Sequence, residues 1–269
     1  MWTSLALLLV GASPPASVGP HASHVTVVVM ENRDYAAIAG NAQAPYFNRT
    51  LVPRGVLLQN AHAVTHPSEP NYLAIFSGST QGDASDACPV TYASANLASE
   101  LLAAGLTFGG YSESMPHDGF SGCYAGDTYA RKHVPWASFS NVPASANRVY
   151  RGFPTNATPS VVFIVPNLCN DMHDCSTATG DAWLAKNVPP ILAWDERNDG
   201  LLIVTWDEAE PDTGTNRVAT LLAGPMIGAG TNDVQYADHY TVLHTIEAIF
   251  NLRCIAQECK AGVLKGIWK

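Results

Sequence analysis

Two short apolar runs, each followed at once by acidic or amide residues, constrain the fold of this chain more than any other feature. The runs cover residues 24–30 and 201–206. The polar residues that follow them are Glu31, Asn32, Asp207 and Glu208. Both runs are too short and too rich in β-branched residues for helices and are typical of strands buried on both faces. Open α/β sheets bind ligands at the carboxyl ends of parallel strands, so the pattern predicts a negative, oxygen-rich pocket.

Strand-like and helix-like segments alternate along the rest of the chain. Further strands are predicted at residues 55–58, 106–108, 160–165 and 218–222, and helices at 96–104, 181–194 and about 240–252. Such alternation predicts an α/β fold in three layers, with helices on both faces of a mostly parallel sheet. Two segments without a clear period, residues 109–159 and 166–180, are predicted to be loops over the strand ends.

Composition limits the classes of partner. The 269 residues, 47% of them hydrophobic and 14% charged, are enough for one α/β domain, which we place at residues 20–269. A net charge of -9 with only 14 lysines and arginines argues against a nucleic-acid polymer as a partner. Neither a P-loop nor a Gly-x-Ser-x-Gly elbow is present, which disfavours nucleoside triphosphatases and acyl esterases.

The first 19 residues are predicted to be a cleaved signal peptide. Their apolar stretch, residues 2–12, is shorter than the roughly 20 residues that span a bilayer, and small residues and prolines follow it. The stretch lacks the usual preceding Lys or Arg. We therefore expect a secreted or periplasmic protein with no transmembrane segment; its oligomeric state cannot be inferred from the sequence.

Six cysteines support export, because an even number in a chain with a leader is typical of disulfides. Sequence proximity pairs Cys169 with Cys175 and Cys254 with Cys259, which leaves Cys88 with Cys123. This is one of about 15 possible connectivities.

The segment around Ser68 carries a second indication of chemistry. Ser68 suits the N-cap of a helix and Pro70 its first turn. A hydroxyl at a helix N-terminus lies where a phosphoryl group is held, and a divalent cation beside it would let it attack phosphorus. The alternative is that Ser68 only caps its helix.

Six motifs in the same order resemble those of a family of secreted phosphoesterases. It includes bacterial and fungal acid phosphatases and non-specific phospholipases C, and is related to the alkaline phosphatase superfamily. The motifs are Met30-Glu31-Asn32, residues 66–72, residues 129–135, residues 166–174, Trp206-Asp207-Glu208 and residues 238–241. The resemblance extends from about Val25 to Leu252 and implies an alkaline-phosphatase-like sandwich.

The resemblance also implies a metal-dependent mechanism. One divalent ion, whether Mg²⁺, Ca²⁺, Zn²⁺ or Mn²⁺, would be held by Glu31, Asn32, Ser68, Asp207 and Glu208. Ser68 would also be the nucleophile and form a phosphoserine. The family keeps a histidine at the position of His239, our first candidate for the acid that protonates the leaving oxygen, followed by His173 and His133.

The predicted substrate is a small phosphate monoester, bound by Asn32, Asn71 and Arg131. Asn71 has an alternative role, which is to satisfy backbone groups in the first turn of its helix. The short chain, without an added lipid-binding module, favours an acid phosphatase over a phospholipase C that cleaves diesters. A further alternative is a non-catalytic secreted binding protein with the same fold.

Overall fold

The computed structural model describes residues 19–210 and 214–269. The ten strands in this part of the chain are β1 (His24–Met30), β2 (Gly55–His62), β3 (Phe108–Ser112), β4 (Tyr124–Ala125), β5 (Tyr129–Ala130), β6 (Asn147–Val149), β7 (Val161–Val165), β8 (Gly200–Trp206), β9 (Thr220–Ala223) and β10 (Thr231–Asp238). The five α-helices described are α1 (Tyr35–Ile38), α2 (Ser68–Ser77), α3 (Leu97–Ala103), α4 (Thr177–Asn198) and α5 (His239–Ile249).

Eight of these strands form one mostly parallel sheet, which confirms the predicted fold class. Their order is β10-β2-β9-β8-β1-β7-β3-β6. Strand β1 lies at the centre and pairs in parallel with both β7 and β8, while β9 is antiparallel to β2 and to β8. Because β1 is buried on both faces, its sequence is almost continuously apolar.

The two faces of β1 enter different hydrophobic clusters. Val25, Val27 and Val29 pack on the side that also holds buried residues of α2, α3 and α5. Val28 and Met30 pack on the opposite side, against buried residues of α4. This alternation follows from the two-residue period of a strand and produces the predicted three layers.

Several element boundaries differ from the predictions. The predicted strand at 106–108 is instead β3, Phe108–Ser112, and the predicted helix at 181–194 is the longer α4, Thr177–Asn198. Strand β10 was not predicted, because it lies at the edge of the sheet and exposes Val234 and Tyr236 instead of forming a buried apolar run.

The three predicted disulfides are all present: Cys88–Cys123, Cys169–Cys175 and Cys254–Cys259. Among the described residues, the helices are all too short or too polar to cross a membrane. The predicted leader lies outside these residues except for Gly19. Its cleavage, and the domain boundary at residue 20, therefore stay predictions.

Asp195 provides a test of the packing of α4. Its carboxylate is buried without a hydrogen-bond partner among the described residues, and burial raises its pKa from 3.8 to about 8. A raised carboxyl pKa means that the folded state holds the proton more tightly, so stability is lost as pH rises from about 4 to about 8. We expect Asp195→Asn to raise the melting temperature at pH 8 and to leave it nearly unchanged at pH 4.

The control for this melting experiment is Asp199→Asn, which changes an exposed carboxylate just beyond the same helix. Its effect should not depend on pH in this way. An Asp195→Asn protein whose melting temperature differs from the wild type equally at both pH values would contradict the assignment.

Candidate active site

The carboxyl ends of β1 and β8 bring three acidic residues together. Met30 and Trp206 are register partners, so Glu31 and Asp207 leave the sheet side by side, and Asp207 N donates a 3.0 Å hydrogen bond to Met30 O. Glu31, Asp207 and Glu208 are each at most 3% exposed. The sheet edge therefore holds buried carboxylates where the sequence predicts them.

Ser68 faces this acidic group from the first position of α2. Its Oγ lies 3.2 Å from Glu31 Oε2 and 3.2 Å from Glu208 Oε1. Pro67, not Ser68, occupies the N-cap position, and the helix has no side-chain cap. The Ser68 hydroxyl is thus directed at the carboxylates, and the alternative that it only caps the helix does not describe this structure.

Two further residues, Tyr72 and Asp171, contact Glu31, and neither contact was predicted from the sequence. The Tyr72 hydroxyl donates a 2.5 Å hydrogen bond to Glu31 Oε1, and Glu31 N donates to Asp171 O at 2.9 Å. Tyr72 lies four residues after Ser68, a spacing that places both on one face of a helix and could have indicated it. Asp171 lies in the predicted loop at residues 166–180, and no role was predicted for it.

His133 lies among these groups. Its Nε2 is 3.1 Å from Glu31 Oε1, although without hydrogen-bond geometry, and its Nδ1 is 3.7 Å from Asp171 Oδ2. The imidazole stacks on the Tyr72 ring with the centroids 5.2 Å apart. Burial lowers the pKa of His133 well below its usual value, which favours the neutral ring.

The buried carboxylates repel one another. Burial, followed by repulsion from neighbouring carboxylates, raises the pKa of both Asp171 and Asp207. Burial raises the pKa of Glu31 to about 8, while the Tyr72 hydrogen bond and the positive charge of Lys132 act in the opposite direction. Such a group is stable only if its members bind protons or a cation.

A divalent cation fits this group. Both Asp207 carboxylate oxygens are buried without a hydrogen-bond partner among the described residues, and carboxylates are the ligands that hard cations prefer. A second possible set consists of Glu31, His133 and His173, whose ligand atoms all lie within 4.8 Å of one another. Glu31 belongs to both sets.

Of the five ligands predicted from the sequence, the structure brings together Glu31, Ser68, Asp207 and Glu208. The fifth, Asn32, follows Glu31 and is partly buried. The assignment of all five as ligands stays a prediction.

Lys132 is a cation at this site that the sequence analysis did not select. Its Nζ donates to Asp86 Oδ2 at 2.8 Å, and Asp86 Oδ1 accepts from Glu69 N, in the first turn of α2, at 3.0 Å. The Lys132 charge lowers the pKa of Glu31 and Asp171. Its position beside His133, in the 129–135 motif, could have indicated that Lys132 belongs to this site.

The remaining histidines occupy different environments. His66 Nδ1 pairs with Glu208 Oε2, and the His66 side chain is 35% exposed. His239 is buried, and its Nε2 lies 2.5 Å from the backbone oxygen of Asp207. His239 therefore holds the strand end that carries Asp207. Its role as the leaving-group acid stays a prediction, as do those of His173 and His133.

Two residues predicted to bind substrate have structural contacts. Asn71 Oδ1 accepts from Val64 N and Thr65 N, and its Nδ2 donates to Thr65 O and Pro67 O. Asn71 therefore satisfies backbone groups, as the alternative role predicted, but these groups belong to the segment before the helix and not to its first turn. Arg131 donates to three backbone carbonyls of nearby loops, at distances of 2.7 to 3.0 Å. Contact of Asn71, Arg131 or Asn32 with substrate stays a prediction.

Comparison with known proteins identifies the family. Residues 42–253 match the model of the phosphoesterase family. The chain belongs to the phosphoesterase family. This phosphoesterase is 44% identical to a phosphatidylinositol-3-phosphatase of Mycobacterium tuberculosis, over 98% of this chain and 90% of that protein. It is 31% identical to an acid phosphatase of Aspergillus fumigatus, covering 88% of this chain but only 57% of the fungal protein.

Solved structures support the fold. The phosphoesterase superposes on an alkaline phosphatase superfamily protein from Vibrio parahaemolyticus with a TM-score of 0.59 and 11% identity, over 86% of this chain and 68% of that one. At this identity the likeness shows the fold alone, and it confirms the alkaline-phosphatase-like architecture. Together with the phosphatase relatives, the family membership shows that this enzyme hydrolyses phosphoric esters.

The two possible ligand sets differ in which substitutions should lower the affinity for a metal ion. We expect Glu31→Gln and Asp207→Asn to lower the affinity for Mn²⁺ or Zn²⁺ by about 10-fold or more, because each removes a carboxylate charge from the group. We expect His173→Ala to retain affinity within about 2-fold. Isothermal titration calorimetry measures these changes, with exposed His117→Ala as the control. A loss in His173→Ala with normal affinity in Asp207→Asn would instead support the histidine set.

Proposed function

We propose that this protein is a secreted, metal-dependent phosphomonoesterase that acts through a phosphoserine on Ser68. The observation that carries the proposal is the position of Ser68 Oγ at the N-terminus of α2, 3.2 Å from Glu31 Oε2 and from Glu208 Oε1. A helix N-terminus attracts a phosphoryl group, and two carboxylates beside a hydroxyl can hold a cation or accept its proton. A non-catalytic binding protein would not need this arrangement.

Ser68 would attack the phosphorus of the ester. Its Oγ forms a bond to phosphorus as the bond from phosphorus to the alcohol oxygen breaks, and its proton passes to one of the two neighbouring carboxylates. A divalent cation, held by Glu31, Asn32, Asp207 and Glu208 together with Ser68, would neutralise phosphoryl charge and lower the pKa of the hydroxyl. Water then displaces Ser68 from phosphorus and releases phosphate.

The alcohol needs a proton as it leaves, and we assign its donation to His173. Among the three histidines predicted for this role, His133 and His239 are almost fully buried, whereas the His173 side chain is 27% exposed. An exposed ring can recover its proton from solvent. Its Nδ1 lies 2.7 Å from Asp174 Oδ1, which would orient the ring.

The preference for monoesters is supported by Lys132 and by the relatives. A monoester is a dianion, so a positive charge beside the acidic group favours it over a singly charged diester. Both relatives have names that denote phosphatases, and the mycobacterial name makes a phosphoinositide a candidate substrate here. The three disulfides support secretion, since such bonds persist in oxidising compartments.

Ser68→Ala tests the nucleophile. We expect hydrolysis of p-nitrophenyl phosphate to fall by about 10³-fold or more with no change in fold, because the variant lacks the hydroxyl on which the proposed covalent intermediate forms. Chelation of the metal should cause a comparable loss, restored by adding a divalent ion. Ser77→Ala, at the other end of α2, is the matched control and should remain active.

The outcomes of this assay separate the alternatives. An active Ser68→Ala enzyme would show that another group attacks phosphorus. Wild-type activity on bis-p-nitrophenyl phosphate alone would favour a phospholipase C or phosphodiesterase. A folded, metal-loaded wild type inactive on both esters would support a binding protein.

Lys132→Met tests the preference for a dianion. We expect kcat/KM for p-nitrophenyl phosphate to fall by about 10-fold or more and that for bis-p-nitrophenyl phosphate to change less, because the monoester carries the extra charge. Lys132→Arg keeps the charge and should restore much of the loss. Equal losses on both esters in Lys132→Met would show that the lysine only maintains the structure.

A further inference from the structure

A second cleft opens at the same edge of the sheet as the catalytic group, by which we mean Ser68 and the buried carboxylates of Glu31, Asp207 and Glu208. Its volume is about 700 Å³. It is lined by residues that follow β3 and β6, by the loop after β7, and by one side of α4. Because β3, β6 and β7 run parallel to β1, their carboxyl ends lie at the edge that also carries Glu31.

One loop joins the cleft to the catalytic group. Asn170 lines the cleft, and the next residue, Asp171, accepts the hydrogen bond from Glu31 N. The loop is fixed by the Cys169–Cys175 disulfide and by Glu113 Oε2, which accepts from Asn167 N at 3.1 Å and from Asn170 Nδ2 at 2.9 Å. A substrate that reaches past this loop would enter the cleft.

Two cations line the cleft without a partner among the described residues. Arg151 and Lys186 are exposed, and neither forms an ion pair or side-chain hydrogen bond with the described residues. Glu113 is the carboxylate that also lines the cleft, and its Oε2 is occupied by the two bonds from the loop. In a protein with net charge -9, a local excess of positive charge is suited to binding an anion.

One buried aromatic residue that lines the cleft offers a further hydrogen-bond donor. Trp183 is buried and lines the cleft, and its indole Nε1 has no acceptor among the described residues. Tyr150 packs against Trp183 with ring centroids 5.7 Å apart and donates to Asn187 Oδ1 at 3.0 Å. A buried donor without an acceptor is unfavourable unless a ligand or water completes it.

We infer that this cleft is a subsite for a second phosphate group, carried by the alcohol part of the substrate. The inference rests on the proposed phosphomonoesterase function. The strand ends after β1 and β6 are three strand spacings apart, about 14 Å, and Arg151 and Lys186 line the cleft. A sugar, cyclitol or lipid headgroup bearing a second phosphate fits this arrangement.

The experiment compares esters with and without a second phosphate. The substrates are fructose 1,6-bisphosphate, a water-soluble short-chain phosphatidylinositol 3-phosphate, and p-nitrophenyl phosphate, each assayed with the metal-loaded protein. We expect the Arg151→Glu, Lys186→Glu double variant to raise KM by about 5-fold or more for at least one of the first two substrates. KM for p-nitrophenyl phosphate should stay within about 2-fold, since this ester has no second anionic group.

Controls make the outcomes distinct. Lys265→Glu makes the same kind of change at an exposed lysine outside the cleft and should leave KM unchanged for all three substrates. If the double variant raises KM for only one of the two substrates that carry a second phosphate, that substrate identifies the source of the second phosphate. Unchanged KM for both, with normal activity on p-nitrophenyl phosphate, would overturn the subsite alone. A wild type inactive on every ester would overturn the proposed function itself.

Discussion

The burial of several carboxylates at the ends of two adjacent strands is the constraint on which this site depends. Each desolvated charge is unfavourable, and Glu31 and Asp207 are placed side by side by the register of β1 and β8. Much of the surroundings compensates for that cost: the Tyr72 hydroxyl, the Lys132 charge and the hydroxyl of Ser68 all approach this group. The remaining cost is what a bound cation would relieve.

The part of the fold that the sequence predicted is the part set by local pattern. β1 and β8 are buried on both faces, so their apolar runs are continuous and their ends are unambiguous. Polar residues directly after such runs had to lie at the sheet edge, which identified Glu31 and Asp207. Proximity in the sequence was also sufficient to predict the disulfide pairing, because two of the three disulfides close short loops and only one pair of cysteines then remains.

The features of the fold and of the site that were not predicted depend on contacts between distant parts of the chain. Asp171 and Lys132 reach the acidic group only because their loops fold back over the strand ends, and although both lie within motifs of the sequence, no local pattern assigns them a role there. Edge strand β10 escaped prediction because it is not buried on both sides. Asn71 and Arg131 were plausible substrate-binding residues by chemistry, and in the structure the Asn71 amide and the Arg131 Nη atoms form hydrogen bonds with nearby backbone groups.

The Cys169–Cys175 disulfide restrains residues at both the catalytic group and the second cleft. Its loop holds Asp171 and His173, which face the catalytic group, and Asn170, which faces the second cleft. In a reducing cytosol the closure would open, and all three residues would lose the same restraint together. Reduction of this one bond would therefore loosen the catalytic group and the second cleft at the same time.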